Sequence, residues 1–469
     1  GFLLARLGIP FLLAAQRSRI SVLDHVRIDL SVFGFALVTA VVTGALSGLI
    51  PALKSSGTDL SRLLRQGGRR MTEGLAGRRL QKALVVGEVA LALVLLSLAG
   101  LAIKSLWRLE ATDPGFASKD VLTLGVALPS WRFPEASQRA EYVRRVLERV
   151  RTIPGVLSCG AVTTLPVGMV PVKARLVPEG RQLAPGEEIP TANHRLVSPG
   201  YLETMRIPLL RGRLFTESDQ AGAPGVAIVS AEMARRYWPG QDPLGKRVKR
   251  WSPELDAPWL TVVGVVQDVK DAGIEAAVEP AWYLPFPQHD ADWIRFVLRT
   301  EGDPLALAPV VRKAILSIDP DRSVYEVASV AKLLDDSLAS RRLATRLLGL
   351  FASLGLALAA VGVYGIFSYL ASQRLREMGI RLALGASPGQ VQELVLREGL
   401  VLAGGGLLLG LSGALALGRL FSSLLFEVAP NDPWTLSGAS LVMLGTAAAA
   451  CLGPARRVRT VATSVILND

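Results

Sequence analysis

Five stretches of this chain are long and apolar enough to cross a lipid bilayer as helices, and they decide most of what the chain can fold into. Residues 30–53, 347–373, 399–418 and 434–455 contain no Asp, Glu, Lys or Arg, and residues 83–103 are interrupted only by Glu88. A bilayer core needs about 20 apolar residues in a helix. The apolar half of the 469 residues is therefore clustered, not spread. An ordinary soluble enzyme, a disordered chain and a disulfide-stapled secreted domain are all excluded. Residues 1–15 form a further short apolar piece broken by Arg6, without the basic start and small-residue cleavage site of a signal peptide. They read as a severed membrane helix, and the chain as a piece of a longer one.

Charge sorts the remainder. The net charge of +12 would fit a nucleic-acid binder, but its distribution does not. Residues 110–339 hold 27 basic and 29 acidic side chains, leaving 25 basic and 11 acidic beside the apolar runs. Positive charge there marks the cytoplasmic side of a membrane. Lys54, Arg62, Arg65, Arg69, Arg70, Arg78, Arg79 and Lys82 put residues 54–82 inside. By alternation the long polar stretch lies outside, and Arg374, Arg376, Arg381 and Arg397 fall inside, as do Arg456, Arg457 and Arg459. Arg17, Arg19 and Arg27, on the expected outer side, fit less well. Cys159 and Cys451 then sit in different phases and are expected not to pair.

The expected organisation follows. Residues 1–53 are C-terminal membrane helices of a first unit, present in part, and 54–82 a basic cytoplasmic linker. Residues 83–109 are the first membrane helix of a second unit, 110–340 an outer domain, and 341–469 three further membrane helices with a cytoplasmic segment at 374–396. A repeat supports this: Asp29 precedes Pro51, and Asp432 precedes Pro454, by the same spacing, each pair bracketing a membrane run. The fold class is an α-helical integral membrane protein with a mixed α+β extracytoplasmic domain, expected to hold two subdomains. Strands are expected at 121–128, 156–162, 226–229, 260–266 and 294–298. Helices are expected at 230–237, with Ser230 as N-cap, at 304–318, and where Val143, Val146, Leu147 and Val150 share one helical face.

Several strings imitate catalytic motifs. Gly240 to Arg247 approaches a phosphate-binding loop, but Arg247 stands where a magnesium-holding Ser or Thr is required, and a turn built on Gly240 and Pro243 explains it. Gly385-Ala386-Ser387-Pro388-Gly389 imitates a nucleophile elbow, yet His25, His194 and His289 all fall on the opposite side of the membrane. Ser387 reads instead as an N-cap, with Pro388 at the first helical position and Gln390 completing a capping box. No catalytic, cofactor-binding or metal site is assigned; the two Cys and three His lack ligand spacing. Glu187–Glu188 and Asp335–Asp336 read as solvated surface. Glu88 reads as an acid near the cytoplasmic end of its helix, within reach of water. Gly44 with Gly48, and Gly406 with Gly410, are small-residue pairs that allow close helix approach, either within the chain or at a sliding interface.

The most informative segment is Glu377-Met378-Gly379-Ile380-Arg381-Leu382-Ala383-Leu384-Gly385-Ala386, between two membrane runs on the cytoplasmic side. It resembles the cytoplasmic motif of FtsX-like ABC transporter permeases of the MacB type. The resemblance extends through Gly100 and Asp113-Pro114-Gly115-Phe116, and through Asn193 to Tyr201, Arg211 to Arg213 and Asp219. It continues through Val226 to Ser230, Trp238 to Gly240 and Asp242 to Lys246, which are similar to the MacB-type periplasmic core domain. Two such units in one chain are similar to the duplicated orphan permeases of acidobacteria.

The resemblance implies a non-enzymatic permease subunit of the bacterial inner membrane, working with a separate cytoplasmic ABC ATPase and without nucleic acid or cofactor. It also implies mechanotransmission, the coupling of ATP hydrolysis to movement of the outer domain, in export or extrusion, with a periplasmic adaptor or other partner. Glu377, Ile380, Arg381, Ala383, Gly385, Ala386 and Ser387 would form the coupling site. The alternative is a membrane-anchored regulator of a periplasmic partner such as a cell-wall hydrolase.

Overall fold

The computed structural model describes residues 34–35, 37–42, 45, 75–181, 188–252, 257–373, 388–422 and 425–466. Its helices are α1 (Leu75–Ala111), α2 (Ala136–Arg151), α3 (Tyr201–Thr204), α4 (Ala231–Tyr237), α5 (Pro304–Ile318), α6 (Val330–Gln373), α7 (Pro388–Leu420) and α8 (Pro433–Ile466). The strands are β1 (Val121–Ala127), β2 (Val156–Val162), β3 (Lys173–Pro178), β4 (Thr191–Val197), β5 (Leu209–Gly212), β6 (Val226–Ser230), β7 (Arg247–Arg250), β8 (Leu260–Val266), β9 (Ala281–Pro285), β10 (Trp293–Thr300) and β11 (Val324–Ser329). The chain divides into two compact units. One is Trp107–Arg342; the other combines Gly1–Leu106 with Leu343–Asp469.

The Trp107–Arg342 unit is one mixed sheet of 11 strands, in the order β11-β1-β10-β2-β4-β3-β7-β8-β6-β9 with β5 against β8. Two hydrophobic clusters lie on its two faces. Leu122, Leu124 and Val126 of β1 and Ile294, Phe296 and Leu298 of β10 enter one cluster. Val121 and Val297 enter the other. The same alternation divides β6, where Ala227 and Val229 oppose Val226 and Ile228. A strand covered on both faces has no solvent face to mark with polar residues, which is why β1 and β6 read as mainly apolar runs.

Helix α2 closes the first cluster with Val143, Val146, Leu147 and Val150, all buried, joined by Val311 and Ile315 of α5. Ser230 caps α4 by accepting from the Met233 amide at 3.2 Å. Hydrogen bonding links the regions expected as two subdomains into one continuous sheet. Strands β11, β1, β10 and β2 meet the rest at a single antiparallel pair, Val162↔Val197, and the parallel pairing of β4 with β9 closes β4, β3, β7, β8, β6 and β9 into a ring.

The other unit is helical. Among the described residues, four helices are long and apolar enough to cross a membrane: Gln81–Ala111, Val330–Tyr369, Gly399–Leu420 and Pro433–Leu452. Their shared core includes Val85, Val89, Leu93, Ala359, Val363, Phe367, Met443 and Cys451. Gly406 and Gly410 resolve one open reading, because both face α1 within the chain. A Cβ on Gly410 would lie 2.9 Å from the Ala90 carbonyl oxygen, and one on Gly406 would lie 2.7 Å from Cβ of Val89. Glycine at these positions lets α7 rest on the α1 backbone. Gly44 lies outside the described residues, as does Gly48. Cys159 and Cys451 are both buried and free.

Candidate functional site

The segment that the sequence singles out, with Glu377, Ile380, Arg381, Ala383, Gly385, Ala386 and Ser387, lies outside the described residues. So does the linker at 54–74. The structure describes the elements on either side of the segment: α6, which ends at Gln373, and α7, which begins at Pro388.

At the other end of these helices, two groups of side chains tie elements together. In the Trp107–Arg342 unit, Arg342 of α6 donates from Nε to Glu110 of α1 at 2.7 Å. It also reaches Asp335, two turns back on the same face of α6, at 3.3 Å. Its neighbour Arg341 pairs with Glu275. The chain leaving α1 is then gripped by Arg299. That guanidinium donates to the carbonyls of Lys119 at 2.9 Å, Ala117 at 3.0 Å and Thr204 at 2.9 Å. Asp335 is thus an ion-pair partner, not simply solvated surface. Sequence reasoning missed this clasp because α6 starts well before its apolar run. The available signal was Leu334 and Leu338 at helical spacing, with Asp335 and Arg342 two turns apart.

In the membrane unit, Lys104 of α1 bonds Asp432 at 2.6 Å. Asp432 also caps α8, accepting from the Thr435 amide at 3.0 Å and its hydroxyl at 2.6 Å. The Lys104 hydrogen bond, with those of Thr435, holds the Asp432 carboxyl down to about 2. Beside it Ser105 Oγ accepts from the Phe426 amide at 2.8 Å. Glu88 is half-buried, with its carboxylate against Gly362 of α6, where a side chain would collide with it. It faces a neighbouring helix, a contact that the sequence reading did not include.

The phosphate-loop imitation resolves as a turn. Residues 238–246 link α4 to β7, with Gly240 and Gly245 at positive φ. Among the described residues, no group of three His, Cys, Asp or Glu side chains could hold a metal ion.

Residues 349–462 match the FtsX-like permease C-terminal family, and residues 160–314 match the MacB-like periplasmic core domain. The chain belongs to the MacB/FtsX-type ABC transporter permeases, with the sheet unit as its extracytoplasmic domain. Among its relatives is the pyoverdine export ATP-binding/permease protein PvdT of Pseudomonas syringae pv. tomato. It is 25% identical over 220 residues, covering 45% of this chain and 33% of that protein. The uncharacterized ABC transporter permease YknZ of Bacillus subtilis is 25% identical over 223 residues, 46% of this chain and 54% of that one. The chain thus aligns with between a third and about half the length of these relatives. Among solved structures, the periplasmic region of MacB from Actinobacillus actinomycetemcomitans aligns with 47% of this chain and 92% of its own. It does so at 14% identity and a TM-score of 0.32.

Proposed function

We propose that this chain is a permease subunit of the inner membrane that couples ATP hydrolysis by a separate cytoplasmic ABC ATPase to movement of the extracytoplasmic domain. The direction proposed is outward, in export or extrusion. The observation that supports it is mechanical. The helices that enter and leave the domain, α1 and α6, each run unbroken from a membrane-length apolar stretch to the Arg342–Glu110 pair. A continuous helix transmits displacement along its axis, and a charged clasp makes two helices move together. Residues 377–387 join α6 to α7 and are the proposed docking site for the ATPase. There Arg381 offers a guanidinium fork to an acidic partner residue, and Ala383, Gly385 and Ala386 allow close approach.

The test is ATPase stimulation and co-purification in reconstituted membranes. The reversals Glu377→Arg and Arg381→Glu, and Ala386→Trp, are expected to abolish stimulation while the protein still inserts and folds. Normal stimulation in all three would sink the assignment. A periplasmic adaptor or a cell-wall hydrolase that binds the domain, with no solute moved, would favour a regulatory role.

A further inference from the structure

One cavity of the extracytoplasmic domain has the makings of a ligand site independent of the coupling machinery. It measures about 280 Å³, and Thr164, Val172, His194, Arg250, Asp292 and Trp293 are among the residues that line it. That is room for about nine waters at their liquid volume, the scale of a small polar molecule.

Its polar groups are held ready and are mostly uncommitted. Thr164 is 2% exposed, and its carbonyl is occupied by the buried Arg195 at 2.9 Å, while its hydroxyl makes no bond to a described residue. Arg250, at the end of β7, forms no ion pair with a described residue. Asp290, nearby, is committed to Arg139, whose Nε lies 2.5 Å from it. Asp292 stands 4.0 Å from the same guanidinium, with its side chain 63% exposed.

Two of the lining residues are apolar and partly open. Val172 and Trp293 are 45% and 44% exposed, and the indole is fixed by donating to the Thr163 carbonyl at 3.1 Å. His194 sits edge-on to Trp282, with ring centroids 5.6 Å apart. Burial keeps its imidazole neutral at pH 7, so it can both donate and accept a hydrogen bond.

A cavity with one uncommitted cation, one loosely held acid, a buried hydroxyl and an apolar wall matches a ligand bearing both charges and a small side chain. We propose that it binds a small zwitterion of the amino-acid or short-peptide type. The carboxylate would lie on Arg250 and Thr164, the ammonium on Asp292, and the side chain against Val172 and Trp293.

The test is isothermal titration of L-alanyl-L-alanine into the full chain in lipid nanodiscs, without any ATPase. Its outcome therefore does not depend on the coupling proposal. Saturable binding of one dipeptide per chain is expected. Arg250→Gln should weaken it about 10- to 100-fold, the worth of one hydrogen bond to a charged group, yet leave binding of the C-terminally amidated dipeptide as in the unmodified chain. Asp292→Asn should do the same for the free dipeptide and spare the N-acetylated one. Val172→Asp, at an exposed wall position, should abolish binding by placing a charge where the ligand's apolar side chain lies, and an unchanged melting temperature would show that each variant is folded. No saturable binding at millimolar dipeptide would overturn the proposal, as would amidated and N-acetylated forms that bind as tightly as the free dipeptide, or insensitivity to all three variants.

Discussion

The two units bury apolar side chains for different reasons. In the extracytoplasmic domain, water drives residues such as Phe296, Trp282 and Ile228 into clusters on the two faces of the sheet. In the membrane unit the same residue types stay on the outside. Leu408, Leu409 and Leu441 are 71%, 60% and 68% exposed, because a lipid tail is as apolar as leucine. Its helices bury Val89, Leu93, Phe367 and Met443 where they meet, but glycines such as Gly406 and Gly410 set how closely they meet. The domain should therefore be sensitive to what a side chain removes from water, and the membrane unit to how closely its helices can approach.

The largest effect is expected where the domain buries charge. Arg195 and Asp271 pair at 2.7 Å with side chains 2% and 1% exposed, and Asn193 completes the cluster by donating to Asp271 at 2.8 Å. Removing one partner leaves the other charged in a dry interior. Arg195→Leu should cost about 3–5 kcal/mol in urea unfolding of the domain. Arg195→Leu combined with Asp271→Leu should recover most of that, since the penalty belongs to the unpaired charge. A loss under about 1 kcal/mol for the single variant would mean that water reaches the pair.

The next tests the membrane unit. Gly410→Leu must push the α1 backbone away and should cost about 1–3 kcal/mol, as overpacking does. Gly438→Leu, on α8 where nothing lies within 4 Å of the added Cβ, should cost nothing measurable. Thermal unfolding in nanodiscs compares them; equal effects would remove close approach as the organising principle of that unit.

Acid should separate the units further. His194 and His289 are both lowered to about 4, chiefly by burial. Between their ordinary value of 6.5 and about 4, the unfolded chain binds protons that the folded domain refuses. The domain's stability is thus intact above pH 6.5 and falls as pH drops through that window, on the order of 1 kcal/mol per imidazole for each pH unit. Asp432 has the opposite bias: its stabilising charge is lost only as pH falls from about 3.8 toward 2. Melting followed from pH 7 to 4 should therefore show the domain weakening while the Lys104–Asp432 link holds. His194→Gln with His289→Gln should flatten the domain's curve.

Legibility in the sequence followed the same division. The helix at Pro304–Ile318 and the strands at Val156–Val162 and Leu260–Val266 were readable to the residue, because local apolar runs, a capping aspartate and proline at the first turn all agree there. Strands β3, β4, β7 and β11 were not, because their residues mix Lys, Arg, Asn and Glu with apolar ones and owe their strand geometry to partners far away in sequence. The single sheet was hidden for the same reason: a join resting on Val162↔Val197 leaves no local trace. Arg342 was overlooked because α6 begins well before its apolar run, so its charged first turns read as domain surface. The coupling residues were legible only as a motif, and their geometry lies outside the described residues.

The smallest expected effect sharpens the rule that burial, not the count of ion pairs, sets what charge contributes to the domain. Arg211 and Asp242 pair at 2.6 Å, closer than Arg195 and Asp271, so distance alone would rank them first. Their side chains, however, are 53% and 51% exposed. Water at high dielectric already solvates each charge, ordering two long side chains costs entropy, and salt screens what attraction remains. Arg211→Ala should thus shift the unfolding free energy by no more than about 0–1 kcal/mol, and the shift should shrink further in high salt. Measured beside Arg195→Leu under the same denaturant, it compares two ion pairs of one fold that differ mainly in contact with water. A loss from Arg211→Ala approaching that of Arg195→Leu would mean that this exposed pair is covered in the working protein, and would direct attention to whatever partner covers it.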